Sequence, residues 1–200
     1  MIAMLRPSRA RLVHALRLPA GAPVIVRPVG PRDAGVLQAY VRGLPAESRY
    51  NRFFGPLREL PPAELDRVIH LDRRRQMAMI AETCLDGGAR VIGEARYALA
   101  PDGGDLEFAL SVADEFRHQG VGMLLMADLE DRARNLGAQR IVGDVLHSNL
   151  AMQALARKAG FAPTGVPRDG RLVRVVKDLR LSLAPPSREE LTEAGLPIAA

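Results

Sequence analysis

One short stretch constrains this chain more than any other: Arg117-His118-Gln119-Gly120-Val121-Gly122. Before it runs Leu106-Glu107-Phe108-Ala109-Leu110-Ser111-Val112, an apolar segment of strand length. After it, Val121, Leu125, Leu129 and Ala133 recur every fourth residue, and Leu124 and Leu136 widen the stripe. That period belongs to a helix with one buried face, and Asn135-Leu136-Gly137 supplies its stop. A strand, a glycine turn and a helix start make a place to hold a phosphate. The first N–H groups of a helix have no partner and point outward beside a partial positive charge. Glycines at 120 and 122 remove Cβ atoms that would keep an anion off the backbone.

Three glycine-turn patterns compete for this loop. A Walker-type loop requires a Lys after its last glycine, and none follows here. A dinucleotide fingerprint requires a third glycine where Leu125 stands. What remains is Arg/Gln-x-x-Gly-x-Gly/Ala. In this the chain resembles the GNAT family of acetyl-CoA-dependent N-acetyltransferases, whose loop cradles the pyrophosphate of coenzyme A. Val112 stands five residues before Arg117, as that family's pattern asks. Gln139 to Leu146 reads as the next strand, and Asn149 with Gly160-Phe161 matches the family's Asn, short helix and Gly-Phe segment. The likeness spans roughly residues 106 to 165. It implies an α/β (α+β) GNAT fold, a mixed twisted central β-sheet flanked by helices. It also implies acetyl-CoA as co-substrate, held by Leu110, Ser111 and Val112 through main-chain contacts, by Arg117, His118, Gln119, Gly120, Val121 and Gly122 in the loop, and by Asn149.

A second likeness is narrower. Glu47-Ser48-Arg49-Tyr50-Asn51-Arg52-Phe53-Phe54 resembles the Ser-Arg-x-x-Arg-Phe-Phe segment of bacterial Pat-type protein lysine acetyltransferases. Ile141 to Leu146 and Ala154 to Arg157 resemble that subgroup as well. Pat proteins often carry a cyclic-nucleotide or ligase-like domain. Two hundred residues leave no room for either, so control by such a domain is not expected.

A chain of this length favours one domain with accessory ends. The expected division is a basic extension over 1–22, an acetyltransferase domain over 23–181 and a tail over 182–200. Residues 1–22 hold no acid but carry Arg6, Arg9, Arg11 and Arg17. The composition resembles a transit peptide, and a basic bacterial extension is the favoured reading. No apolar run approaches the ~18 residues of a membrane span. The formal charge is +5, which suits anionic CoA. Only Lys158 and Lys177 are lysines, a bias that fits genome composition. Nucleic acid is disfavoured as a partner, because no Trp and four per cent aromatics offer little for base stacking. Cys84 is the single cysteine, which excludes an intrachain disulfide and a cysteine zinc cluster and fits a cytoplasmic location. No spacing suggests a metal.

Along the chain, a first strand is expected over Pro23–Pro28 and a helix from Pro31 with Val36, Leu37, Tyr40, Val41 and Leu44 on one face. Pro45 to Phe54 reads as a second short helix, anchored by Phe53-Phe54 and ended by Gly55-Pro56. A third opens at Pro61-Pro62. Strands over 76–84 and 90–99 flank Asp86-Gly87-Gly88, and strands over 162–166 and 171–179 flank Arg168-Asp169-Gly170. Ser187 and Glu190 suggest a capping box in the tail.

N-acetylation needs a deprotonated amine, and a lysine amine with pKa about 10.4 is mostly protonated at neutral pH. The site must take that proton and stabilise the oxyanion on the thioester carbonyl. Glu107 is the candidate general base: it stands mid-strand, where a charge implies a wet face, and the Pat resemblance places a Glu there. The competing reading is an exposed strand residue beside Arg96 or Arg90. Many GNAT members place a Tyr acid before Gly-Phe, but here Ala156 holds that position. A thiolate of pKa near ~8.5 can leave unaided. Ser148 is explained as a helix N-cap, Cys84 as a small buried residue at a strand end, and His118 as pointing to solvent. His147 could line the acceptor channel, and Arg49 and Arg52 either shape the acceptor side or form surface ion pairs. The acceptor is a protein lysine or a small amine. A CoA-binding module without turnover is the non-enzymatic alternative. A homodimer is neither required nor excluded by the sequence.

Overall fold

The computed structural model describes residues 16–85, 87–164 and 169–180. The first strand pair sits earlier than residue 23. β1 (Leu16–Arg17) lies antiparallel to β2 (Pro23–Pro28), and Leu18 just beyond it is buried in the core. The sheet therefore reaches into the segment read as an extension. A 3-10 turn over Pro31–Asp33 leads into α1 (Ala34–Gly43), followed by α2 (Ala46–Phe53) and α3 (Pro62–Ile69). The long hairpin β3 (Gln76–Leu85) and β4 (Gly88–Leu99) comes next, then β5 (Asp105–Val112). α4 (Val121–Asn135), β6 (Arg140–Leu146), α5 (Leu150–Lys158), β7 (Ala162–Pro163) and β8 (Leu172–Asp178) complete the described chain. The capping box expected at Ser187 and Glu190 lies outside the described residues.

The eight strands form one sheet in the order β1-β2-β3-β4-β5-β6-β8-β7. All neighbours are antiparallel except β5 and β6, which α4 connects as a parallel crossover. This is the mixed, helix-flanked sheet the sequence implied.

Two apolar layers follow from the period-2 alternation of the strands. On one face, Leu106 and Phe108 of β5 pack with Leu125 and Leu129 of α4 and Ala156 of α5. On the other, Ala78 and Ile80 of β3 pack with Leu37 and Val41 of α1 and Val68 of α3. Glu94, Arg96, Glu107 and Ser111 share this second face, because Ser111 sits opposite Glu94 and Ala98 opposite Glu107.

The pairing of β5 with β6 is short. Register runs through Asp105↔Arg140, Leu106↔Ile141 and Glu107↔Val142 and stops there. At the fork, the Phe108 ring takes the space above Gly143 and lies tilted at 5.4 Å from Phe161. A Cβ on Gly143 would sit 2.5 Å from Phe108 Cε1. Gly143→Ala therefore forces the ring out of its place. An unfolding free energy lower by about 1–3 kcal/mol is expected, the usual cost of overpacking. Denaturant titration measures it, and an unchanged midpoint contradicts the wedge.

Candidate active site

Beyond the fork, β5 keeps its pairing to β4 as far as Gly93↔Val112, but among the described residues it has no strand partner on the β6 side from Phe108 onward. Main-chain groups of Leu110 to Val112 are thus available along one edge. They line a cavity of about 310 Å³ between α2, the glycine loop and α5. Arg117, His118, Gly120, Gly122 and Asn149 line the same cavity. The structure does not bring Gln119 or Val121 into it. Gln119 Nε2 donates to Glu115 O at 2.8 Å, and Val121 is buried in the core below the loop.

Gly120 caps α4 at φ 88°, a left-handed conformation that favours glycine. Its missing Cβ also makes room for Leu16, which a Cβ would approach to 3.0 Å. Gly122 is small for a different reason from the one expected. A Cβ there would meet Leu155 of α5 at 2.9 Å, so this glycine sets the approach of α5 to α4. His118 is left-handed as well, at φ 60°. The first N–H groups of α4, from Val121, Gly122 and Met123, have no partner inside the helix, and Gly122 and Met123 border the cavity. The arrangement fits a diphosphate carrying an extended amide arm: N–H groups without helix partners at one end and an open strand edge along the side.

α2 closes the cavity from above through polar contacts, buried at Ser48 and Arg52 and exposed at Asp114 and Arg117. Ser48 Oγ donates to Asp114 Oδ2 at 2.9 Å and accepts from Arg117 Nη2 at 2.9 Å. Arg117 Nη1 also meets Asp114 at 3.0 Å, so the loop arginine is tied to α2. Arg52 is not on the surface. Its side chain is 8% exposed, lines the cavity, and binds Glu94 through Nε at 3.1 Å and Nη2 at 3.2 Å. Arg96 also binds Glu94, and it reaches Glu64 of α3 at 3.0 Å. Burial works to raise the Glu94 carboxyl, but the guanidinium groups of Arg52 and Arg96 outweigh it and hold the group below its ordinary range. Tyr40 OH lies 3.0 Å from Ser111 Oγ, and burial pushes its phenol above the ordinary value. Arg49 instead ties α2 to neighbouring turns by donating to the carbonyls of Arg42, Leu44 and Leu57.

Glu107 lies apart from that cavity. It is exposed on the α3 face of β5, at the last paired position before the fork. It borders a second groove of about 260 Å³ with Glu64, Arg67, Leu71 and Arg96. Ala109 and Phe108 link this groove to a small cleft under α2, which shares Asn51, Arg52, Leu110, Asn149 and Met152 with the main cavity. Ala98 is directly opposite Glu107, Arg96 is its diagonal neighbour in the same groove, Arg174 is within reach of its charge, and Arg90 pairs instead with Glu115.

Other expectations change. Asn149, not Ser148, caps α5, accepting from Met152 N–H at 3.1 Å. Cys84 is exposed, because Thr83 takes the inward position of β3 and donates to Pro23 O. Phe53 packs on the core as expected, whereas Phe54 is exposed and itself takes the left-handed cap that ends α2. His147 is exposed beside α5 and does not line the cavities described above.

The model of the acetyltransferase (GNAT) family matches residues 46–161. The chain belongs to the GNAT family. It is 31% identical over 153 residues to an acetyltransferase of Pseudomonas aeruginosa, an alignment covering 76% of this chain and 82% of that one. Among solved structures, the GNAT domain of S. lividans PAT is similar with a TM-score of 0.76 and 26% identity, covering 86% of this chain and 100% of that one. Spermidine N-acetyltransferase from Vibrio cholerae, solved with CoA and spermine, shares the fold at a TM-score of 0.62 and 17% identity over 80% of this chain and 98% of that one. The GNAT enzyme described here is an acetyl-CoA-dependent N-acetyltransferase.

The Glu94 cluster fixes α2 and α3 over the GNAT site, and its cost is measurable. Glu94→Gln leaves two guanidinium groups facing a neutral amide, and about 3–5 kcal/mol of stability is expected to be lost at neutral pH. The folded carboxyl titrates below its unfolded value of ~4.3. Its contribution is therefore complete above that value and fades as pH falls through the lower folded one. Denaturant unfolding of both proteins should show the gap narrowing in acid. A gap constant from neutral to strongly acidic pH contradicts the assignment.

Proposed function

We propose that this GNAT enzyme transfers acetyl directly from acetyl-CoA to a lysine ε-amine of a protein, with Glu107 as the general base. The observation that carries the reading is the open edge of β5, which starts one residue after Glu107. An arm laid along Leu110, Ser111 and Val112 brings its thioester end toward the fork and its diphosphate end toward Gly120 and Gly122. Arg117 and His118 border the diphosphate end, and Asn149 borders the arm while capping α5. Gln119 and Val121 act by shaping the loop.

The acceptor enters from the α3 face, where Glu107 takes a proton from the ammonium directly or through a water. The neutral amine attacks the thioester carbon, and a β5 N–H at the fork stabilises the oxyanion. Collapse forms the amide and expels the CoA thiolate, which receives through water the second proton lost by the nitrogen, while Glu107 returns the first to solvent. Ala156 leaves no tyrosine to protonate the thiolate. For the acceptor class, the support is the likeness to the GNAT domain of S. lividans PAT together with the Ser48-to-Phe54 segment. A cytoplasmic location belongs to the same proposal and rests on the single cysteine.

Glu107→Gln should lower kcat/KM by about two orders of magnitude while leaving acetyl-CoA affinity unchanged, as read by thiol release and calorimetry. Unchanged turnover removes Glu107 from the role. Mass spectrometry of a cell extract incubated with enzyme and labelled acetyl-CoA should place the label on lysine side chains. Label found solely on small amines contradicts the acceptor assignment.

A further inference from the structure

Tyr50, Phe54 and Leu150 are among the large apolar side chains left exposed. Phe54 and Asn149 line the small cleft that joins the main cavity to the Glu107 groove. Tyr50 lies one turn back in α2, with its carbonyl accepting from Phe54 N–H, and Leu150 directly follows Asn149. Phe54 thus lines this mouth, and Tyr50 and Leu150 stand beside it, one on α2 and one at the start of α5.

The fold gives little reason for their exposure. Leu150 is 70% exposed at the first position of α5, where Asn149 already supplies the cap. Phe54 holds a half-wet ring at φ 57° and ψ 23°, a conformation glycine adopts without steric cost and a bulky residue rarely does. An apolar rim of this kind beside a cleft marks a contact surface.

Charge selects the occupant. The acids at this mouth are already spoken for: Asp144 is held by Arg174 through two contacts of 2.8 Å, and Asp169 by Arg171. Arg171 also reaches Tyr50 OH at 3.3 Å. A polyamine, with several ammonium groups, would meet arginines here. Glu107 has no hydrogen-bond partner among the described residues, and the nearby Arg174, whose charge it feels, is already bound to Asp144, so this carboxylate has room for one ammonium. A lysine with apolar neighbours fits both features.

We infer that Tyr50, Phe54 and Leu150 form a lip that reads a large apolar side chain next to the acceptor lysine of a polypeptide. This rests on the protein-lysine reading and adds a sequence preference to it.

The test uses the full chain, acetyl-CoA and two pentapeptides blocked at both ends, each with a central lysine flanked by leucines or by serines. Thiol release should show a KM about tenfold lower for the leucine-flanked peptide, equivalent to ~1.4 kcal/mol. Leu150→Ser and Tyr50→Ser should each raise that KM toward the serine-flanked value while leaving kcat and acetyl-CoA affinity alone. Both positions are exposed, so the variants should fold. Equal KM values for the two peptides in the parent enzyme overturn the lip and leave lysine acetylation standing. A preference that survives both substitutions also overturns it. No release above background with either peptide overturns the protein-lysine reading and the lip together.

Discussion

The early end of the β5–β6 pairing is the constraint from which the rest of the site follows. A strand inside a sheet normally satisfies both of its edges. Here β5 does so only through Glu107, and beyond it the edge facing β6 is open. The cause is local. Phe108 and Gly143 are the next residues in line, and the ring of one fills the place where a side chain of the other would be. Phe161 backs the ring from the far side. An open edge in a protein invites another extended backbone-like group, and the amide-containing arm of CoA is of that kind. The parallel crossover then delivers the N-terminus of α4 to the far end of the same edge.

The two faces of the sheet divide the work. The α4 and α5 face is apolar and closes the core. The α1 to α3 face carries buried charge beside its apolar cluster, and that charge holds the helices over the fork. Arg52 from α2 and Glu64 from α3 converge on Glu94 and Arg96 of one strand. Ser48, Asp114 and Arg117 extend this scaffold to the glycine loop. The Glu94 cluster and the glycine loop are thus both tied to α2, through Arg52 and Ser48. Such a scaffold is costly to desolvate and costly to break, and it fixes one geometry rather than many.

Much of this was legible in the sequence where periodicity and glycine placement carry the signal. The strand, loop and helix around Gly120 were clear because a 2-residue repeat changes to a 3.6-residue repeat across it. Glu107 stood out as a charge in an apolar strand. Glu94 did not, although it lies in the similarly apolar run Ile92-Gly93-Glu94-Ala95, because its partners come from elements far away in sequence. A buried acid and an exposed acid read alike until topology supplies the arginines. β1 was missed because two residues make no pattern. The cap of α5 shifted by one residue because Ser148 and Asn149 are equally good in type, and only geometry chooses. Gln119 and Val121 came with a motif, and a motif does not say which of its residues offer a side chain to the cavity and which only a backbone N–H. The helix end was expected at Gly55-Pro56, and the structure puts the left-handed turn one residue earlier on Phe54, against local preference. Conflicts of this kind between local preference and structure gather at sites where function supplies the reason.

The most direct measurement of the central claim is amide hydrogen exchange across β5 and the start of α4, with and without acetyl-CoA. The account predicts that binding slows exchange of the amides of Leu110 to Val112 on the open edge and of Val121 to Met123 at the helix start. Binding that leaves both segments exchanging at their free rates would contradict it.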